Sequence, residues 1–181
     1  MRASFLAPVA FALALAGCSD IEVTTVQDEH TDFTKIHTWA WYDSVNNDAP
    51  DPEISELSRR RIKNCIQSEL EARGYSWGPS DKADMIVKWV AVASGSVELA
   101  PVGIRFGIDD PKTRGPIQGP STMGEGSLVI DVMSNQAPRK VIWRGTAQAT
   151  VNRDLPDEVR QERIQKAVAK TFASFPAHPA K

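Results

Sequence analysis

KVIWRGTAQATV, residues 140–151, is a stretch in which apolar or small side chains alternate with polar ones. A period of two is typical of a β-strand, because successive side chains point to opposite faces of the sheet. The pattern predicts one solvent-exposed face and one buried face, and the buried face carries Val141, Trp143, Gly145, Ala147, Ala149 and Val151. The small side chains in this set leave room for a helix to pack closely on the strand.

A suitable helix follows this strand directly. Asp154 is a good N-cap, Pro156 suits the first turn, and apolar residues recur at helical spacing as far as Phe175. A second helix is predicted earlier in the chain, with Asp51 as its N-cap and Gly74 as its C-terminal stop. Each helix has a single apolar stripe, so both are expected to pack on the sheet.

Four further segments have the composition or alternation of strands. They are residues 21–27, 37–42, 85–93 and 127–133. The order of strands and helices predicts an α+β fold, with a mostly antiparallel sheet and two helices packed on one face. The tryptophans on the strands fill the core in this interpretation, although they are also numerous enough to line a pocket; they are Trp39, Trp41, Trp89 and Trp143.

Residues 95–125 form a long excursion rich in glycine and proline. Segments of this length without regular structure are uncommon in compact domains, unless they are functional or disordered. Part of the excursion alternates like an edge strand, and its apolar positions are candidate contacts for a ligand or partner: Val102, Ile104, Phe106 and Ile108. The alternative is an edge strand that folds onto its own sheet.

The N-terminal residues 1–17 have the pattern of a signal peptide, with Arg2 before an apolar stretch that is too short to span a bilayer. The residues that follow this stretch, Leu15 to Cys18, resemble the lipobox of bacterial lipoproteins. The resemblance implies cleavage before Cys18 and lipidation of its sulfur and new amine, with acyl chains such as palmitate. Ser19 favours the outer membrane. We therefore expect one periplasmic domain, residues 18–181, anchored to the membrane by lipid; the alternative is an ordinary secretory signal.

Little in the sequence indicates chemistry. The formal net charge is -2, with both signs mixed, so nucleic-acid binding has no support. No protease, hydrolase, redox or phosphate-binding motif is present, and we predict no catalytic residue, no metal site and no cofactor. The cluster around Asp28 and His30 is interpreted as a solvated turn rather than a cation site. Cys65 is interpreted as a core residue, and His178 is placed in a frayed tail.

Two charges embedded in predicted strands are more informative. Asp131 and Arg144 lie on strands that are consecutive in the chain, so they are expected to form a cross-strand ion pair on the open face of the sheet. They are also candidate contacts for a ligand or partner. An alternative makes the protein a hydrolase of envelope glycan or lipid, with Asp84 and Asp131 as acid and base. Glycoside hydrolysis needs such carboxylates about 5–9.5 Å apart.

Blocks of residues along most of the chain resemble the bacterial lipoprotein family defined by domain of unknown function 4136. The resemblance is carried by Phe33, Ile36, Thr38, Trp39, Trp41, Gly74, Tyr75, Ala83, Asp84, Val87, Gly126, Leu128, Ile130, Asp131, Trp143, Arg144, Gly145, Thr146, Ala147, Ile164, Ala167, Val168, Phe175 and Pro176. The chain departs from the family after Met133, where SNQAP replaces a charged turn. The family implies a small envelope protein with no established reaction, substrate or cofactor.

These observations predict a non-enzymatic protein anchored in the outer membrane by lipid. Its periplasmic domain would bind another envelope protein, a lipid or a glycan through the open face of the sheet or through residues 95–125. A structural role in the envelope is a further alternative.

Overall fold

A mixed sheet and two helices make up the domain in the computed structural model, which describes residues 21–42, 53–93, 97–98, 122–123, 126–152 and 154–178. The strands are β1 Glu22–Gln27, β2 Thr38–Trp41, β3 Ser76–Trp77, β4 Met85–Val92, β5 Val97–Glu98, β6 Thr122–Met123, β7 Ser127–Ser134 and β8 Val141–Gln148. The helices are α1 Glu56–Ala72 and α2 Asp157–Phe172. The predicted α+β class is confirmed.

The main sheet has the strand order β1-β8-β7-β4-β2-β3, and β5 pairs with β6 apart from it. Strand β2 runs parallel to β3 and β4, while the β1–β8, β8–β7 and β7–β4 pairs are antiparallel. The sheet is therefore mostly antiparallel, as the sequence predicts. The long strand β4 is central, which fits its nearly continuous apolar sequence.

Both helices begin later than the sequence predicts. Ser55 caps α1 by accepting the backbone N–H of Ser58 at 3.1 Å, and the expected cap, Asp51, lies outside the described residues. Pro156 occupies the N-cap position of α2, with no capping side chain. The expected cap Asp154 instead donates its backbone N–H to Asn152 Oδ1 at 3.0 Å. No helix in the described ranges has the length and apolar character of a membrane span.

The helices pack on the face of the sheet that carries Trp143. Its ring stacks on Phe172 of α2 at 5.4 Å between centroids and meets Phe175 edge-on at 5.0 Å. Gly145 faces α2 so closely that an added Cβ would collide with Thr171 Cγ2 and with the Trp143 ring. The predicted close approach of helix and strand is confirmed.

The opposite face of the sheet, here called the second face, is buried as well. Every residue from Ser127 to Met133 is buried, and Arg144 and Thr146 are each only 6% exposed. The prediction of a solvent-exposed face on β8 is therefore wrong. The burial is tolerable because the charge of Arg144 is paired, and because a second apolar cluster forms beside it from Ala40, Ala83, Ile86, Met133 and Val141.

A β-bulge breaks the strict alternation at the start of β8. Val132 pairs with Trp143 and Met133 pairs with Val141, so Ile142 is an extra residue in the ladder. Val141 consequently packs with Met133 in the second cluster, whereas Ile142 and Trp143 belong to the main core. The prediction that Val141 shares a face with Trp143 is wrong for this reason.

The residues after α2 are fixed to the end of α1. The backbone N–H of His178 donates to Arg73 O at 2.8 Å, and the hydroxyl of Tyr75 donates to Pro176 O at 3.0 Å. The His178 ring also contacts His37, with 4.5 Å between centroids. The prediction of a frayed tail at His178 is wrong, because these contacts hold it.

Candidate functional site

A cavity of about 390 Å³ lies between the two helices and one end of the sheet. Its volume is in the range of about 300–1,000 Å³ that is typical of sites for small ligands. Most of its lining is apolar: Ile21, Ile54, Ile62, Ala91, Val92, Ala93, Leu128, Ala149, Val151, Leu155, Ile164 and Ala167. We therefore take this cavity as the candidate functional site.

Small residues at the ends of three strands help to make the space. Ala91 on β4 pairs with Leu128 on β7, and Ala149 follows β8, so two alanines face the cavity where larger side chains would fill it. Gly126 joins the three strand ends, because it donates its N–H to Val92 O at 2.8 Å and accepts the N–H of Ala149 at 3.0 Å. Its φ of +79° and its contact with the Ala149 carbonyl both require glycine.

The polar part of the lining comes from the N-terminal regions of both helices and from residues at the strand ends. Ser55 and Ser58 of the α1 end face the cavity, and Arg160 and Arg163 of α2 lie on the other side. Arg160 Nη2 is 2.9 Å from Asp157 Oδ1, and Arg163 Nη2 donates to the backbone oxygen of Thr150 at 3.1 Å. The charged groups of the lining are two arginines and Glu53. The site is thus an apolar space with a positively charged edge.

The first described residue of the chain is part of this site. Ile21 lines the cavity, and Lys170 Nζ of α2 donates to its backbone oxygen at 3.4 Å. Cys18 lies outside the described residues, but Ile21 is only the third residue after it. A fully extended chain of that length spans at most about 11 Å. The cavity is therefore close in sequence and in reach to the predicted lipidation site.

Asp131 and Arg144 form the cross-strand ion pair that the sequence predicts. They are direct partners in the β7–β8 register, with Nε to Oδ1 at 2.6 Å and Nη2 to Oδ2 at 2.8 Å. Asp131 is 7% exposed, and Lys88 of β4 lies opposite it in the ladder. The two charged groups satisfy each other within the sheet. Their role as contacts for a ligand or partner stays a prediction.

Asp84 holds β2 to the start of β4. Its Oδ2 accepts the backbone N–H groups of His37 and Thr38 and the Thr38 hydroxyl, each at 2.9 Å. Burial alone raises the pKa of the Asp84 carboxyl, but these hydrogen bonds outweigh it and lower the pKa. Asp131 lies opposite Lys88 of β4 in the sheet. Lys88 is four residues after Asp84, and four residues of a strand span about 13 Å. The two carboxylates are thus not placed as an acid and base across one bond.

Asp28 is a buried charge with a fixed partner. Its Oδ2 accepts hydrogen bonds from Lys140 Nζ at 2.6 Å and from the Thr31 hydroxyl at 2.7 Å, and its Oδ1 accepts the His30 N–H at 3.2 Å. Burial by itself raises the pKa of Asp28, but these bonds outweigh it and lower the pKa to about 2. The interpretation as a solvated turn is wrong for this residue. Within the described ranges, no cluster of three or more potential metal-ligating side chains occurs.

The buried Asp28 predicts a specific pH dependence of stability. Its pKa is about 2 in the folded chain and near 3.8 when unperturbed, so the ionised carboxylate stabilises the fold above pH 4 and this contribution is lost as pH falls from about 4 to 2. We expect Asp28→Asn to lower the free energy of unfolding by about 2 kcal/mol at pH 7. Urea unfolding at pH 7 and at pH 2.5 measures the difference, which should be much smaller at pH 2.5.

The matched control is Glu29→Gln, because Glu29 is the exposed neighbour of Asp28. It should change stability little at either pH. A loss for Asp28→Asn that is the same at both pH values would contradict the assigned role of the charge.

The remaining predicted positions lie outside the cavity or outside the described residues. The candidate contacts Val102, Ile104, Phe106 and Ile108 all belong to the undescribed part of the chain. Cys65 is half-buried on α1, and burial, followed by the charge of Glu69, raises the pKa of its thiol. That fits the predicted structural role, since a raised pKa lowers the thiolate fraction. None of the four strand tryptophans lines the cavity.

Sequence reasoning missed the cavity. Its signal is the set of alanines at apolar positions near the ends of β4, β8 and the middle of α2: Ala91, Ala149 and Ala167. In the sequence these residues indicate only that a helix approaches closely, as it does at Gly145. Whether such a gap is closed by the helix or left open depends on the spacing of the packed elements.

The family model described as Domain of unknown function (DUF4136) matches residues 23–177. Among solved structures, the crystal structure of a DUF4136 family protein from Bacteroides thetaiotaomicron VPI-5482 is similar to this chain, with a TM-score of 0.52 and 17% identity. The match covers 84% of this chain and 96% of that chain. At this identity the likeness shows the fold alone.

Two further structures are more distant. A PDZ domain protein from Parabacteroides distasonis ATCC 8503 has a TM-score of 0.45 at 14% identity, covering 87% of this chain and 36% of that chain. A PelC dodecamer from Paraburkholderia phytofirmans has a TM-score of 0.45 at 10% identity, covering 88% of this chain and 99% of that chain. Neither likeness supports a functional conclusion. No curated protein matches the chain.

Proposed function

The chain belongs to the DUF4136 family, in which no activity is established, and from this premise we propose that it is a lipid-anchored envelope protein whose periplasmic domain binds a lipidic ligand. The domain acts by binding and does not catalyse a reaction. The anchor is the lipidated Cys18, in the periplasmic leaflet of the outer membrane. The binding site is the cavity between α1, α2 and the end of the sheet.

The observation that carries this proposal is the apolar lining of the cavity. Twelve of the described residues that line it are apolar and eight are polar or charged, and its volume of about 390 Å³ suits one small molecule. The second face of the sheet, where the sequence analysis places a partner, is a weaker candidate binding site. Asp131 and Arg144 are buried on this face and bonded to each other. A lipidic ligand therefore fits the described residues better than a glycan, which needs many polar contacts.

The position of the cavity supports a link with the anchor. Ile21 lines the site and follows Cys18 by three residues, so lipidation of Cys18 would hold the cavity near the leaflet. Acyl groups are abundant there. In the hydrolase alternative, Asp84 and Asp131 would act as acid and base. Each of these carboxylates already accepts hydrogen bonds from structural partners, which supports binding without catalysis.

Native mass spectrometry of the full chain isolated from envelope membranes tests both parts of the proposal. We expect the polypeptide to begin at Cys18 and to carry the covalent mass of a diacylglyceryl group and a third acyl chain. We also expect a second lipid that is not covalently bound and is released by collisional heating. The covalent mass tests lipidation of Cys18, and the lipid released by collisional heating tests binding in the cavity.

Ala167→Leu supplies the matched variant for the cavity. The added carbons remove room for about three methylene groups, at about 0.8 kcal/mol each, so retention of the second lipid should fall more than tenfold. The covalent mass should not change. Ala72→Leu, at the exposed end of α1, is the control and should keep both masses. A chain without covalent lipid would contradict the anchor, and equal retention by wild type and Ala167→Leu would contradict the site.

A further inference from the structure

We propose that the ligand is an anionic amphiphile with one acyl chain in the cavity and its acidic head group bound by Arg160 and Arg163. This inference rests on the proposed function, because it names the chemical class of the lipid that the cavity holds. It follows from the volume of the cavity, the distribution of charge on its lining and its place in the chain.

The volume limits the apolar part of the ligand to a single chain. A methylene group is similar in size to a water molecule, whose share of the liquid is about 30 Å³, so a cavity of about 390 Å³ has room for about a dozen of them. Ile54, Ile62 and Leu128 are buried and present aliphatic carbons to this space. A lipid with two long chains would therefore leave one chain outside.

The charge of the lining favours an acidic head group. Arg160 and Arg163 lie one turn apart on α2 and both line the cavity, while Glu53 is the acidic residue of the lining. The Asp157 carboxylate is shared, because it is 2.9 Å from Arg160 Nη2 and 3.7 Å from Arg61 Nη1. The three guanidinium groups of Arg61, Arg160 and Arg163 outnumber the carboxylates of Glu53 and Asp157 by one, which leaves an excess of positive charge among these groups. Guanidinium is also the group whose planar donors match a phosphate or carboxylate.

The bonds of the two arginines already hold them beside the cavity. Arg163 donates to the Thr150 carbonyl and Arg160 to Asp157, which limits the rotamers that each side chain can adopt. An acidic group at the cavity mouth would add an anion to a preset pair of cations at a small cost in side-chain entropy. The acidic group can belong to a free fatty acid or to a membrane phospholipid, and the chemistry at the arginines is shared by both.

Two probes with the same dodecyl chain separate the contribution of charge from that of the cavity. The full chain, held in a bulky neutral detergent, is titrated with dodecyl phosphate and with dodecylphosphocholine, and bound probe is counted by native mass spectrometry. We expect dodecyl phosphate to bind about tenfold more tightly, since each partly exposed arginine adds up to about fivefold. This preference should shrink at 0.5 M salt, because salt screens exposed charges.

Arg160→Gln with Arg163→Gln is the decisive variant. It should remove the preference by lowering the affinity for dodecyl phosphate about tenfold. The affinity for dodecylphosphocholine should fall much less, because its choline cation offsets the charge of its phosphate. An unchanged circular dichroism spectrum shows that the variant is folded. Arg139→Gln, in the exposed connection between β7 and β8, is the control and should keep the preference.

The outcomes separate this inference from the proposed function. Equal binding of both probes to the wild type overturns the anionic class while the lipid-binding function stands. Binding of neither probe overturns the proposed function itself. The mass of the lipid retained from native membranes distinguishes a fatty acid from a phospholipid, and a retained neutral lipid overturns the inference.

Discussion

Arg144→Ala is expected to lower the free energy of unfolding by about 3–5 kcal/mol, the range for removing one partner of a buried ion pair. The arginine is 6% exposed and donates two hydrogen bonds to Asp131, which is 7% exposed. Without the guanidinium, the Asp131 carboxylate keeps its place between two strands and loses both donors. The loss of stability comes from the unpaired buried carboxylate of Asp131. It exceeds the net contribution of the intact ion pair to the free energy of unfolding.

Urea unfolding at pH 7 measures the loss, and a double variant identifies its cause. Asp131→Leu combined with Arg144→Met removes both charges at similar volume, so most of the lost stability should return. Arg139→Ala, at an exposed arginine in the preceding connection, should change stability little. If Arg144→Ala were as stable as Arg139→Ala, the pair would have no structural role and its candidate role as a contact would become more important.

Gly145→Ala is expected to destabilise the fold by about 3 kcal/mol, at the upper end of the range for overpacking a core. The new Cβ would overlap Thr171 Cγ2 of α2 and the ring of Trp143. Neither neighbour can move easily, because Thr171 is buried on the helix and the Trp143 ring is stacked on Phe172. The helix would have to move away from the strand, and packing along the whole contact would suffer.

Gly78→Ala is the matched control for this prediction. A Cβ at Gly78 would meet Thr38 Cβ at 3.7 Å, which is an ordinary contact, so the same chemical change should cost less than about 1 kcal/mol. Thermal unfolding of both variants followed by circular dichroism measures the difference. Equal stability of the two variants would show that α2 approaches the sheet less tightly than described.

Local patterns in the sequence predict the elements that have a clear period, and they fail where a single residue changes the period. The alternation in residues 140–151 predicts β8 and the close approach at Gly145 correctly. It misplaces Val141, because the bulge at Ile142 shifts the register by one residue. It also makes the face of Arg144 exposed, because alternation reports polarity and cannot show that a polar side chain is paired in the interior.

The candidate site is less predictable than the fold. The Asp131–Arg144 pair follows from the sequence, since consecutive strands usually pair and the two charges fall at matching positions. The cavity does not follow, because it depends on the distance between α1, α2 and strand ends that are far apart in the chain. Alanines such as Ala91 and Ala167 mark its lining only after those elements are placed.

The strand order has a consequence for how the protein matures. Strand β1 is followed directly in the chain by β2, yet the two lie near opposite edges of the sheet, and the described partner of β1 is β8. A polypeptide emerging from a ribosome or a translocation channel therefore presents its first strand more than a hundred residues before that strand can be paired. Contacts between residues far apart in the chain slow folding. The sheet of a growing chain therefore stays incomplete until β8 has emerged.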